Sequence, residues 1–112
     1  KESLPDSDLM ICRDCLIHLS FESIRLFFGN FRKSKINYLL LTTYKLKDKT
    51  KKLDNLDIPD GEYREIDLTR PPFLLPTPLY EILDKDELNK NSGFNCYLNL
   101  YSKNQINDIK FK

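Results

Sequence analysis

Apolar and polar positions fall in blocks along this chain, and the blocks define its elements. Leu9, Met10, Ile11 and Cys12 run unbroken into the charged pair Arg13 and Asp14. A run without alternation reads as a strand covered on both faces. Its first polar residues then lie at the carboxyl end of the strand, where open α/β sheets bind ligands. Ser20 follows as a helix N-cap, with Glu22 in the first turn to complement the helix dipole. Leu19 and Ile24 are spaced for a hydrophobic staple. Ile24, Phe27, Phe28 and Phe31 keep the i, i+3, i+4, i+7 spacing of one helix face, with Phe21 ahead of them. Arg32, Lys33 and Lys35 suit the carboxyl end of that helix. Gly29 lowers its propensity by up to ~1 kcal/mol relative to Ala, which predicts close packing there.

Tyr38 to Tyr44, YLLLTTY, is a second strand without alternation, again predicted to be covered on both faces. Strand, helix and strand in this order make a βαβ unit with a right-handed crossover and parallel strands. The carboxyl ends, Cys12 to Asp14 and Thr42 to Tyr44, then share one rim of the sheet.

Beyond this unit the pattern loosens. Lys45 to Asn55 is rich in lysine, and reads as a solvated loop or as a surface for an anionic partner. Pro59-Asp60-Gly61 marks a turn, and Glu62 to Leu68 can be extended. Pro71, Pro72, Pro76 and Pro78 enclose Phe73, Leu74 and Leu75, which rules out helix and central strand. This stiff apolar loop is either a strap over the sheet end or a wall of a substrate pocket. Leu79 to Leu83 and Cys96 to Tyr101 read as two more strands, joined by the polar linker Asp84 to Asn95 with a turn at Asn91-Ser92-Gly93. A connection without a helix predicts an antiparallel pair. Lys1 to Ser7 is a polar lead-in with a Leu-Pro-Asp turn signal, and residues 103–112 read as a polar tail with no assigned element.

Composition narrows the class. The chain has 112 residues, enough for one small domain, with 40% hydrophobic and 31% charged residues, as in soluble globular proteins. Lys and Arg number 18 against 17 Asp and Glu, so there is no basic footprint for nucleic acid. No apolar run reaches the ~20 residues of a membrane span, and no signal peptide precedes the first strand. The expected compartment is the cytoplasm. The chain starts at Lys1 and enters a strand almost at once, so a fragment of a longer protein is expected, its first strand open for association along one edge.

Candidate chemistry centres on the first corner. Cys12, Cys15 and His18 are spaced at intervals of three, yet zinc would need a fourth ligand and Cys96 is the remaining cysteine. Arg13 and Asp14 in the middle of the CxxC and the apolar Leu16 and Ile17 after it speak against thiol redox chemistry, and a Cys15–His18 nucleophile pair has no identifiable third group. Buried structural thiols account better for the pattern, and no metal is expected. His18, the single histidine, is a candidate general base or a structural hydrogen-bonding group. Neither GxGxxG nor GxxxxGK[ST] occurs, so these residues contain no recognisable phosphate-cradling loop.

Taken together, three motifs carry a resemblance. DLMICRDCLIHLSFESI, KINYLLLTTYK and DIPDGEYREIDLTRPPFLLPTPL, in this order, resemble the second half of a class I S-adenosylmethionine-dependent methyltransferase. They span Asp8 to Leu79. The resemblance implies an α/β fold, a partial Rossmann-like sheet in which a parallel βαβ unit is followed by an antiparallel terminal strand pair. It makes Leu9 to Cys12 the fourth strand, Tyr38 to Thr43 the fifth, and the last two strands the sixth and seventh.

The same resemblance assigns roles. It sets Cys12, Arg13 and Asp14 against the methionine part of S-adenosylmethionine, with Asp14 and His18 as catalytic orienters or bases. The PPFLLPTP loop, with Phe73, would line the pocket of an unknown methyl acceptor. The glycine-rich cofactor loop and the acid that holds the ribose are absent from these residues, and the closing strand is less apolar than the family pattern. The expectation is therefore residues 1–102 as the carboxyl-terminal half of a methyltransferase domain, catalytic when complete. The alternative is a truncated, non-catalytic α/β interaction module.

Overall fold

The computed structural model describes residues 8–84 and 93–109. In chain order they form β1 (Leu9–Cys12), a 3-10 turn (Leu16–His18), α1 (Phe21–Lys33), β2 (Tyr38–Leu46), β3 (Tyr80–Leu83), β4 (Phe94–Ser102) and α2 (Lys103–Asn107). β1 and β2 pair in parallel, from Leu9 with Tyr38 to Cys12 with Leu41, with α1 as the crossover. β4 runs antiparallel to both β2 and β3 and lies between them, giving the order β1-β2-β4-β3. The sheet is open, mixed and four-stranded among the described residues. The βαβ unit and the antiparallel ending agree with the sequence pattern. β4 extends two residues further toward the amino terminus than the pattern indicated, because Phe94 and Asn95 still pair with β2.

The helix forms as its spacing requires. Ile24, Phe28 and Phe31 are fully buried against Leu39, Leu41 and Tyr101 of the sheet, and Leu19 packs on the same cluster as Ile24. Ser20 Oγ accepts the Ser23 N–H at 3.1 Å. Two further N–H groups at this end find acceptors from far along the chain: Ser20 N–H donates to Asp60 at 2.8 Å and Phe21 N–H to Asp57 at 2.9 Å. The long irregular segment after β2 therefore completes the cap of α1, satisfying donors that an isolated helix leaves open. A Cβ built on Gly29 meets nothing within 4 Å, so the predicted close packing is absent; the glycine faces open space.

That irregular segment is held by buried polar groups. Arg64, 5% exposed, donates to the carbonyls of Leu56, Leu16, Ile17 and Leu19 at 2.7 to 3.1 Å. Thr43 Oγ1 accepts from Leu68 N–H at 2.9 Å, and Tyr44 N–H donates to the Ile66 carbonyl at 2.8 Å, which ties the segment to β2. Gly61, with φ 93°, makes the predicted turn and donates its N–H to the His18 carbonyl. In the proline-rich loop Phe73 and Leu75 are buried in the core, while Leu74 stays at the surface. The loop thus serves as a strap whose apolar residues fill the space beside α1.

Two expectations change. Neither the β1 run nor the start of β2 is covered on both faces: Leu9 is 44%, Ile11 61% and Tyr38 43% exposed, and with Tyr80 and Ile82 they form an apolar face that no described residue covers. Coverage on both faces is reached toward the carboxyl end of β2, where Thr42, Thr43 and Tyr44 are all buried. The sequence after β4 is not a bare polar tail. Ser102 and Gln105 form a capping box that starts α2, and Ile106 and Ile109 are buried. The helices then exchange caps: Lys103 Nζ donates to the carbonyls of Phe31 and Ser34, and Arg32 donates to those of Ile106 and Ile109. The lead-in at residues 1–7, the Asn91-Ser92 part of the predicted turn and residues 110–112 lie outside the described residues. No helix among the described residues is long and apolar enough to cross a membrane.

Candidate functional site

The corner after β1 is built by a tight turn. Cys12 ends the strand, buried, and the chain turns through Arg13 and Asp14. Asp14 has φ 57°, a left-handed conformation that Asp tolerates better than most residues. Its N–H donates to Thr42 Oγ1 at 2.9 Å, which pins the turn to β2. The carboxyl ends of the two parallel strands do meet on one rim. The Asp14 carboxylate is exposed and has no partner among the described residues.

Arg13 reaches away from this turn. Its Nε and Nη2 donate to the two oxygens of Asp84 at 3.0 and 2.9 Å, a bidentate pair. Cys12 and Cys96 are buried as expected, but Cys15 is exposed, because it follows the turn out of β1, and its Sγ donates to the Arg13 carbonyl at 3.3 Å. Burial pushes the Cys12 thiol well up, and contact with Cys15 adds to the effect.

His18 closes the corner. Its Nδ1 lies 3.0 Å from the Glu62 carbonyl oxygen, which can only accept. Nδ1 therefore carries the proton, and Nε2 of the neutral ring keeps its lone pair. The ring lies against Tyr63 with centroids 5.8 Å apart, and Tyr63 in turn donates its hydroxyl to Glu65 at 3.0 Å. Burial and the neighbouring Glu65 carboxylate raise the Tyr63 phenol, so it remains a donor.

Cys12, Arg13 and Asp14 stand together at the end of β1, and His18 stands four residues on, against Glu62 and Tyr63. Phe73 belongs to the core. Its ring is fully buried, edge-on to Phe21 at 5.3 Å. The end of the same loop does line a groove: Pro76, Thr77 and Pro78 border about 340 Å³ with Lys45 and Glu81, which form an ion pair at 3.0 Å. A second groove of about 370 Å³ crosses the uncovered sheet face between Leu9, Tyr38, Tyr80 and Leu100. No cluster of three or more metal-ligating side chains occurs among the described residues.

Sequence reasoning did not find Thr42, Tyr63 or Asp84. Thr42 carried a faint signal, as a polar residue at the end of an apolar strand. Tyr63 and Asp84 carried none, because each meets its partner across 45 or more residues.

No family model matches the chain, and neither does any curated protein or solved structure.

Proposed function

We propose that this chain forms the carboxyl-terminal half of an S-adenosylmethionine-dependent methyltransferase domain and that the Asp14 corner borders the amino-acid end of the cofactor. The observation that carries the reading is Asp14 itself: a left-handed residue pinned to Thr42 at the carboxyl rim of a parallel strand pair, with its carboxylate exposed and without a partner among the described residues. Ligands collect at that rim in open α/β sheets. Support comes also from β4, which runs antiparallel beside β3, the strand before it, as the resemblance implies.

The residues present fit the cofactor in part. The Asp14 carboxylate suits its ammonium group, whereas Arg13 is held by Asp84 and contributes through that pair. The cofactor supplies an electrophilic methyl group when bound. Asp14 orients the amino-acid end, and His18 Nε2 takes a proton from the acceptor, with the Glu62 carbonyl holding the ring in the required tautomer. The groove beside Pro76 to Pro78 is the candidate acceptor site in place of Phe73.

A second reading, a non-catalytic interaction module, is favoured by the apolar face around Leu9, Ile11 and Tyr80. Amide chemical-shift mapping with S-adenosylhomocysteine separates the two. Shifts concentrated on residues 12–18 and Thr42 support the cofactor reading. Shifts that appear elsewhere and leave these residues unmoved contradict it.

A further inference from the structure

We propose that Cys12 and Cys15 form a thiol–disulfide exchange site, which closes into an intramolecular disulfide on reaction with a small organic disulfide of the glutathione type. The site has the division of labour this chemistry needs. Cys15 is exposed and can meet a disulfide in solution, whereas Cys12, three residues before it, is buried. The Cys15 thiol donates to the Arg13 carbonyl at 3.3 Å, so its sulfur lies over the turn that joins it to Cys12. The intervening Arg13 and Asp14 form a turn, so the Cα atoms of the two cysteines lie within ~7 Å, and disulfides span ~4.4–6.8 Å. Asp14 N–H bonded to Thr42 holds that turn in place.

Burial keeps the Cys12 thiol protonated, which makes Cys15 the attacking group and Cys12 the resolving one. The Cys15 thiolate attacks one sulfur of the small disulfide and expels one thiolate, leaving a mixed disulfide on Cys15. The Cys12 sulfur then attacks the Cys15 sulfur, gives up its proton and expels the second small thiol. Two protein thiols are oxidised to one disulfide, and one small disulfide is reduced to two thiols. Cys96, buried in β4, has no part in the exchange and serves as an internal control. The inference is independent of the proposed methyl transfer, since it asks only for the turn and the two sulfurs.

The test is incubation of the folded, reduced chain with oxidised glutathione, followed by intact-mass measurement and peptide mapping under non-reducing conditions. The expected product is a chain with a Cys12–Cys15 disulfide, no retained glutathione and a free Cys96. The Cys15→Ser variant, altered at an exposed position, should show no reaction. A mixed disulfide that persists on Cys15 in the wild-type chain, an unreacted Cys15, or a disulfide that includes Cys96 would overturn the proposal.

Discussion

Arg13 and Asp84 join the two edges of the sheet. Arg13 follows β1 and Asp84 follows β3, strands that lie at opposite ends of the order β1-β2-β4-β3, and the guanidinium meets the carboxylate through two hydrogen bonds. Side-chain exposure is unequal, 54% for Arg13 and 11% for Asp84. The pair links the residues that follow the two edge strands, while the Asp14 turn itself is pinned by Thr42.

Because the pair is partly exposed, its own contribution is modest, about 0.5–1 kcal/mol, and screened by salt. Arg13→Ala should cost more than Asp84→Asn, since it leaves the better-buried carboxylate without its partner. Urea titrations of both variants at low and high salt measure this. Equal losses for the two, unaffected by salt, would show that the pair is incidental.

Arg64 presents the opposite case, a buried guanidinium with four carbonyl acceptors and Phe21 below it at 5.6 Å. Burial lowers its proton affinity somewhat, yet the carbonyls compensate for lost water. Arg64→Ala removes the link between the irregular segment and the 3-10 turn, and should destabilise the chain by about 1–3 kcal/mol for each buried carbonyl left without a donor. Arg64→Lys should rescue little, because one ammonium cannot serve carbonyls arranged for a fork. Chemical denaturation of the two variants is the measurement.

Asp60 makes acid sensitivity specific to α1. Its carboxylate accepts from Ser20 N–H and the Ser23 hydroxyl, and these bonds hold it below the usual value of 3.8. A carboxyl depressed in the folded state adds stability above its unfolded value, and that stability is lost as pH falls through the folded one. Thermal melts should therefore show Tm falling below about pH 4, and Asp60→Asn should flatten that part of the profile. An Asp60→Asn profile parallel to wild type would remove Asp60 from the cause.

The local elements were legible because their signals are local. The staple of Leu19 and Ile24, the Ser20 cap and the unbroken YLLLTTY run each encode their own geometry within a few residues. β1 was misread on its exposed face, since a run such as Leu9 to Cys12 looks the same whether its outer face is covered or open. The capping box of Ser102 and Gln105 was present in the sequence, but the polar residues around it masked α2. What could not be read locally is the site's surroundings: Thr42 under Asp14, Glu62 behind His18 and Asp84 against Arg13 all come from distant segments. Phe73 shows the converse, a residue placed in a pocket by resemblance and in the core by packing against Phe21.

The most direct test of the central claim is calorimetric titration of S-adenosylhomocysteine into the folded, monodisperse chain and into Asp14→Asn. The account predicts that any affinity of the wild type, weakened by the missing glycine-rich loop, falls a further tenfold to hundredfold or so in the variant, the value of one charge-assisted hydrogen bond of about 1.5–3 kcal/mol. Equal affinities for the two proteins, which would set Asp14 apart from the bound cofactor, would contradict it.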